Sequence, residues 1–136
     1  MAYLVDSCIL LDILTDDPQW AGISQDLLET SSRKAELFIN PLIYTEISIG
    51  YTEQADLDKV VNIMALSWEE IPQKALFLTG KAFLSYRRNQ GTKLRPMPDF
   101  YIGAHAQIQG YTILTRDASR YKTYFPTVQL ITPEIQ

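Results

Sequence analysis

The sequence contains one cysteine, Cys8, and one histidine, His105, in 136 residues. A lone cysteine forms no internal disulfide, and one His with one Cys falls short of the donors of an ordinary zinc site. No run approaches the ~20 apolar residues needed to span a bilayer, and no charged leader with an apolar stretch opens the chain, so a cytoplasmic protein with no membrane role is expected. The 6 glycines nowhere form G-x-G-x-x-G, which removes a dinucleotide-binding fold. Positive charge is also short. Lys and Arg number 12 against 16 Asp and Glu, for a formal net charge of -4, which excludes a protein that coats nucleic acid by bulk charge but not an enzyme that handles it locally.

What is present is ample apolar material, 46% hydrophobic against 21% charged, enough for one domain over residues 1–136 that buries roughly two-thirds of its unfolded surface. Residues 1–5 read as a buried strand that stops at Asp6, with Ser7 capping the apolar stretch 8–14. Asp16-Asp17-Pro18 reads as a helix start, the helix running to about residue 31, and Asn40-Pro41 repeats the signal for a helix to about residue 51. Strands are expected at 36–39, 68–71, 111–114 and 127–131, and further helices at 53–65, 73–89 and 99–109, the last closed by Gly110. Residues 91–98, with one glycine and two prolines, read as a loop. Strands alternating with helices predict a three-layer α/β/α domain whose central, mostly parallel sheet has about five strands.

In such sheets ligands bind beyond the carboxyl ends of the strands. Asp6 and Asp117 each follow an apolar strand directly, and Asp99 opens the helix leading into the fourth strand. Glu46 is flanked at helical spacing by Leu42, Ile43, Ile49 and Gly50, so its carboxylate sits on an inward stripe. Each acid alone has an ordinary explanation as a turn residue, a cap or a partner of a buried arginine. Together they require more, because each converging charge pair repels by roughly 4 kcal/mol at an effective dielectric near 20. A hard divalent cation, Mg²⁺ or Mn²⁺, resolves this through carboxylate and water oxygens, and such a cluster suits hydrolysis of a phosphodiester. His105 lies about 240° round its helix from Asp99, which turns it away from the acids toward packing or a surface contact. Cys8 reads as a small buried hydrophobe.

The segments Tyr3-Leu4-Val5-Asp6-Ser7, Asn40-Pro41-Leu42-Ile43-Tyr44-Thr45-Glu46, Pro98-Asp99-Phe100-Tyr101-Ile102-Gly103-Ala104-His105-Ala106 and Tyr111-Thr112-Ile113-Leu114-Thr115-Arg116-Asp117 occur in that order. On these, the chain resembles PIN-domain ribonucleases, and within them the VapC toxins of prokaryotic toxin–antitoxin pairs. The resemblance implies that Asp6, Glu46, Asp99 and Asp117 are the four acidic site residues of a Mg²⁺- or Mn²⁺-dependent endoribonuclease. Asp6 and Asp99 would be the principal metal ligands, with Ser7 and Thr115 orienting ligands or water. Cys8 departs from the family's usual Asn or Ser. Arg116 is the leading candidate for holding RNA; Arg120, Lys122, Lys93 and Arg95 are further rim candidates, and Arg87-Arg88 read rather as charges closing a helix. The resemblance also implies a homodimer and a VapB-like antitoxin that places a basic side chain in the acidic pocket. A PIN nuclease of RNA processing and a non-catalytic PIN-like binding module are the alternatives. A receiver domain lacks its strand-end acid, and a haloacid-dehalogenase-type phosphatase would need an acid where Cys8 stands.

Overall fold

Tyr3, Leu4 and Val5 are apolar on both faces of an extended segment, the pattern of a strand covered on both sides. The computed structural model, which describes residues 2–133, makes this segment the centre of the sheet. Five strands, β1 (Ala2–Val5), β2 (Glu36–Ile39), β3 (Leu66–Trp68), β4 (Thr112–Leu114) and β5 (Leu130–Ile131), lie in the order β3-β2-β1-β4-β5, and every pairing is parallel. Leu4 pairs with Phe38 on one side and Ile113 on the other. Parallel neighbours need crossovers, supplied by α1 (Ser7–Leu14), α2 (Ala21–Ser32), α3 (Pro41–Ser48), α4 (Gln54–Ile63), α5 (Gln73–Arg88), α6 (Pro98–Gln109) and α7 (Ser119–Tyr124). The chain winds outward from β1 through β2 to β3, then returns past β1 to β4 and β5. Right-handed crossovers therefore place α1–α4 on one face and α5–α7 on the other, where those last three pack on one another. This is the expected three-layer α/β/α architecture, and its sheet is parallel throughout.

The helix starts differ from expectation in ways that bear on the site. Asp6, not Ser7, caps α1, its carboxylate accepting from the Ser7 backbone N–H. Asp17 forms a turn rather than a helix start: its Oδ1 accepts the Gln19 and Trp20 N–H groups, both at 2.9 Å, and α2 begins only at Ala21. Asn40 caps α3 as expected, accepting from Ile43 N–H, but that helix ends at Ser48, three residues before the expected boundary at residue 51. The third strand falls at Leu66–Trp68, ahead of the expected 68–71. Asp99 sits inside the first turn of α6, with Met97 at the cap. The short helix α7 lies between the fourth and fifth strands, in a stretch to which the sequence assigns no element. No helix among the described residues is long and apolar enough to cross a membrane.

The order of strands reverses between β1 and β4. Their carboxyl ends diverge into helices on opposite faces, so a crevice opens there, and Asp6 and Thr115 stand at its floor. On the far side of the sheet from α1, the helix that carries Asp99 is pressed close: a Cβ on Gly103 would lie 2.3 Å from the buried Phe125 ring. Gly103→Ala should cost about 1–3 kcal/mol by overpacking. Gly22→Ala in α2, where a Cβ meets nothing within 4 Å, should instead stabilise by up to about 1 kcal/mol. Thermal melts of the two variants would separate in opposite directions from the parent.

Candidate functional site

β1 carries Asp6 to the crevice and three donors hold its carboxylate there. Oδ1 accepts the Ser7 N–H at 2.8 Å, while Oδ2 accepts the Thr115 hydroxyl and the Tyr121 hydroxyl, each at 2.9 Å. Thr115 is where the sequence places it, beside the acids. Tyr121 escapes sequence reasoning along with α7, although Tyr121, Tyr124 and Phe125 stand at helical spacing. Ser7 binds a second acid through its side chain, with Oγ donating to Glu46 Oε1 at 2.9 Å and so tying α1 to α3. Of the stripe expected around Glu46, Ile43 is fully buried and Leu42 partly so, but α3 ends at Ser48 and leaves Ile49 83% exposed and Gly50 in solvent; Glu46 is half-buried, between the fully buried Ile43 and Ile47.

Asp6, Glu46, Asp99 and Asp117 all line one cleft of about 350 Å³, with Ser7, Cys8 and Arg120 among them. Asp99 Oδ2 accepts from Arg120 Nη1 at 3.1 Å, whereas its Oδ1 is buried with no hydrogen-bond partner. Asp117 is exposed at the rim, its backbone N–H bound to Thr115 Oγ1 at 3.0 Å. Burial pushes the Asp6 carboxyl above the ordinary range against its three hydrogen bonds, and the Asp99 charge adds to the rise. Glu46 is likewise raised, by burial first and then by repulsion from Asp6 and Asp99, with the Ser7 hydrogen bond opposing. The cleft therefore holds more negative charge than its own donors offset.

Among the described residues no three acids, histidines or cysteines come together as a ready ligand set. The donors present nonetheless suit a hard cation that takes one or two carboxylates and completes its shell with water and substrate phosphate. The unpartnered Asp99 Oδ1 is the specific observation in favour, since a buried acceptor without a donor costs roughly 1–3 kcal/mol.

Arg116 stands elsewhere. Its Nε and Nη2 both reach the Asp12 carboxylate of α1 at 2.8 Å, and its guanidinium lies 4.7 Å from the Trp20 ring centroid. Asp12, which also accepts from Ser24 Oγ, is raised by burial but lowered further by Arg116 and Ser24, so it remains charged. Arg116 thus clasps β4 to α1 and α2 and does not line the cleft, unlike the substrate-holding place expected from its position next to Asp117. Cys8 is half-buried at the cleft wall, where Sγ accepts the Arg116 N–H at 3.4 Å and meets Thr115 Oγ1 at 3.5 Å. Burial raises its thiol pKa, which keeps it protonated. His105 is fully buried and away from the acids: Asn40 Nδ2 donates to its Nδ1 at 3.1 Å, which assigns the ring proton to Nε2 and its donation to Glu69 at 3.0 Å. Because Asn40 caps α3 and His105 belongs to α6, this bond braces the helices that carry Glu46 and Asp99.

The chain matches the family described as PIN domain over residues 3–126. By sequence, no curated protein matches it. Among solved structures it is similar to VapBC2 from Rickettsia felis bound to a promoter DNA fragment, at 18% identity and a TM-score of 0.76, with 98% of this chain and 100% of that chain covered. VapBC-1 from nontypeable Haemophilus influenzae is 14% identical, with a TM-score of 0.73 and 97% and 98% covered. A toxin–antitoxin complex from Klebsiella pneumoniae is 19% identical, with a TM-score of 0.68 and 98% and 99% covered. At these identities the likeness is one of fold.

Two outcomes follow from the charges. The raised pKa of Glu46 means that its ionisation opposes folding, so the stabilising neutral form is lost as pH rises through the folded-state value. In metal-free buffer at pH 7, Glu46→Gln should therefore melt higher than the parent, the gain disappearing below about pH 4, where Glu46 is neutral in both states. Arg116→Ala should do the reverse, lowering stability by roughly 1–3 kcal/mol because the buried Asp12 carboxylate loses two donors. That loss should be insensitive to added Mg²⁺, as differential scanning calorimetry would show.

Proposed function

Because the chain belongs to the PIN-domain family, we propose that it is a divalent-metal-dependent endoribonuclease and the toxin of a toxin–antitoxin pair. The convergence of Asp6, Glu46, Asp99 and Asp117 on one cleft, with the buried Asp99 Oδ1 unpartnered, carries this reading. Asp6 and Asp99 are the residues to hold Mg²⁺ or Mn²⁺, with Asp117 completing the site through water. When bound, the ion supplies an activated water and charge to offset the phosphoryl oxygens in the transition state. Thr115, Tyr121 and Ser7 hold Asp6 in one orientation at the cleft, which keeps its carboxylate in place for a ligand. Glu46, whose Oε1 is engaged by Ser7, offers Oε2 to take the proton from the attacking water, and its raised pKa makes it a better proton acceptor than an ordinary carboxylate.

The similar structures are of VapBC and toxin–antitoxin complexes, which supports a VapB-like antitoxin as partner. An antitoxin's basic side chain in the cleft would answer the same excess of negative charge that a cation answers. A homodimer, RNA as substrate and a cytoplasmic site of action complete the proposal. With a net charge of -4, RNA affinity away from the cleft should be weak, and recognition should rest on a few local contacts.

Purified protein should cleave RNA with Mg²⁺ or Mn²⁺ and not in EDTA, and Asp6→Asn or Asp99→Asn should lower the rate by at least about 100-fold, the scale set by loss of a metal ligand or its support. Cleavage by either variant at the parent rate would remove these acids from the site. No cleavage by the parent protein under any divalent metal would favour the non-catalytic binding module.

A further inference from the structure

Among the described residues, Arg120 is the one basic side chain that lines the acidic cleft. It arrives on α7, the element absent from the sequence-level expectation, and its bonding contrasts with that of Arg116. Arg116 is bidentate to a carboxylate only 4% exposed, with two contacts at 2.8 Å. Arg120 makes a single 3.1 Å contact through Nη1, and its side chain is 40% exposed. Its guanidinium lies over the faces of Tyr86 and Phe100, 5.7 and 5.9 Å from their centroids. Ring faces attract a cation over a broad area without fixing its donors, so this shelf keeps the guanidinium at the cleft while letting it turn. Arg116 is locked by two directional bonds, and Arg120 is tethered by one.

We propose that Arg120 is a movable phosphate-binding residue, which neutralises Asp99 in the metal-free cleft and passes to the scissile phosphodiester when a divalent cation takes Asp99. The inference rests on the nuclease reading above and adds the group that receives the phosphate. A cation on the unpartnered Asp99 Oδ1 repels the guanidinium from Oδ2 and withdraws the charge that held it. A planar guanidinium freed at the rim presents donors that match two phosphate oxygens. A substrate anion entering this cleft meets four carboxylates, and Arg120 is the resident charge of the right sign to admit it.

Arg120→Gln separates the two roles, because it removes a competitor for the cation and a ligand for the RNA. Calorimetric titration with Mn²⁺ should show affinity rising by about three- to tenfold as the competing charge is lost. Stopped-flow anisotropy of a fluorescein-labelled single-stranded 12-mer RNA in Mn²⁺, read before turnover, should show RNA affinity falling by at least about tenfold, the loss of a charged contact. Arg120→Lys retains a cation on Asp99 and should hold Mn²⁺ affinity near the parent value, which guards against a general disturbance of α7. A purely structural Arg120 would lower both affinities or neither, and either result overturns the proposal. Parent protein that binds Mn²⁺ but neither binds nor cleaves RNA overturns the nuclease reading and the passage to phosphate with it. Parent protein that binds and cleaves RNA, with Arg120→Gln unchanged in RNA affinity, overturns this inference alone.

Discussion

Bringing like-charged carboxylates together where strands β1 and β4 part company sets the terms for everything around them. Asp6 and Glu46 lose water on entering the crevice, and the charges of Asp6 and Asp99 raise the cost of ionising their neighbours, as the upward displacement of Asp6 and Glu46 records. The surrounding groups are arranged to contain that cost. Asp6 has three donors, Glu46 has the Ser7 hydroxyl, Asp99 has Arg120, and Asp117 remains in solvent. One oxygen, Asp99 Oδ1, is left over. A structure built for stability alone would pair it or replace it with an apolar group; leaving it unpartnered on a residue that lines a cleft of acids is consistent with a site that takes its last positive charge from outside.

The helices that bear the acids are braced away from the cleft. The Asn40–His105–Glu69 chain ties the start of α3 to the middle of α6, and Glu69 also accepts from Gln109 and Tyr111. The Asp12–Arg116 pair performs the same service between α1 and the end of β4. These bonds place rigid, satisfied polar contacts one layer behind carboxylates that are neither fully satisfied nor fully neutralised. The division explains why two arginines four residues apart behave differently. One closes a clasp, and the other rests on aromatic rings beside the acid it offsets.

Elements whose signals are local are legible in the sequence. Asn40-Pro41 announces a capped helix, Gly110 ends another with its backbone at φ 72°, and the apolar runs mark the strands. Three of the four acids can be placed at one sheet edge because chain direction and right-handed crossovers leave little choice, whereas the apolar neighbours of Glu46 are a weaker guide: Ile43 is fully buried but Ile49 is 83% exposed. The helix that escapes notice, α7, has only six residues and no side-chain cap, so its periodicity spans barely two turns and competes poorly with the turn residues around it.

Pairing lies beyond the sequence, and pairing decides what each charge is for. Adjacency to Asp117 points to Arg116 as the cation for substrate, yet its partner is Asp12, 104 residues away along the chain. Tyr121 reaches Asp6 across 115 residues, and Arg120 meets Asp99 across 21. Chain order alone was enough for the α/β/α class and a mostly parallel sheet, since periodicity and caps act within a few residues. Which acids have donors, which oxygen has none and which arginine stands at the cleft were settled in three dimensions, because hydrogen bonds and burial depend on distances that chain order does not contain.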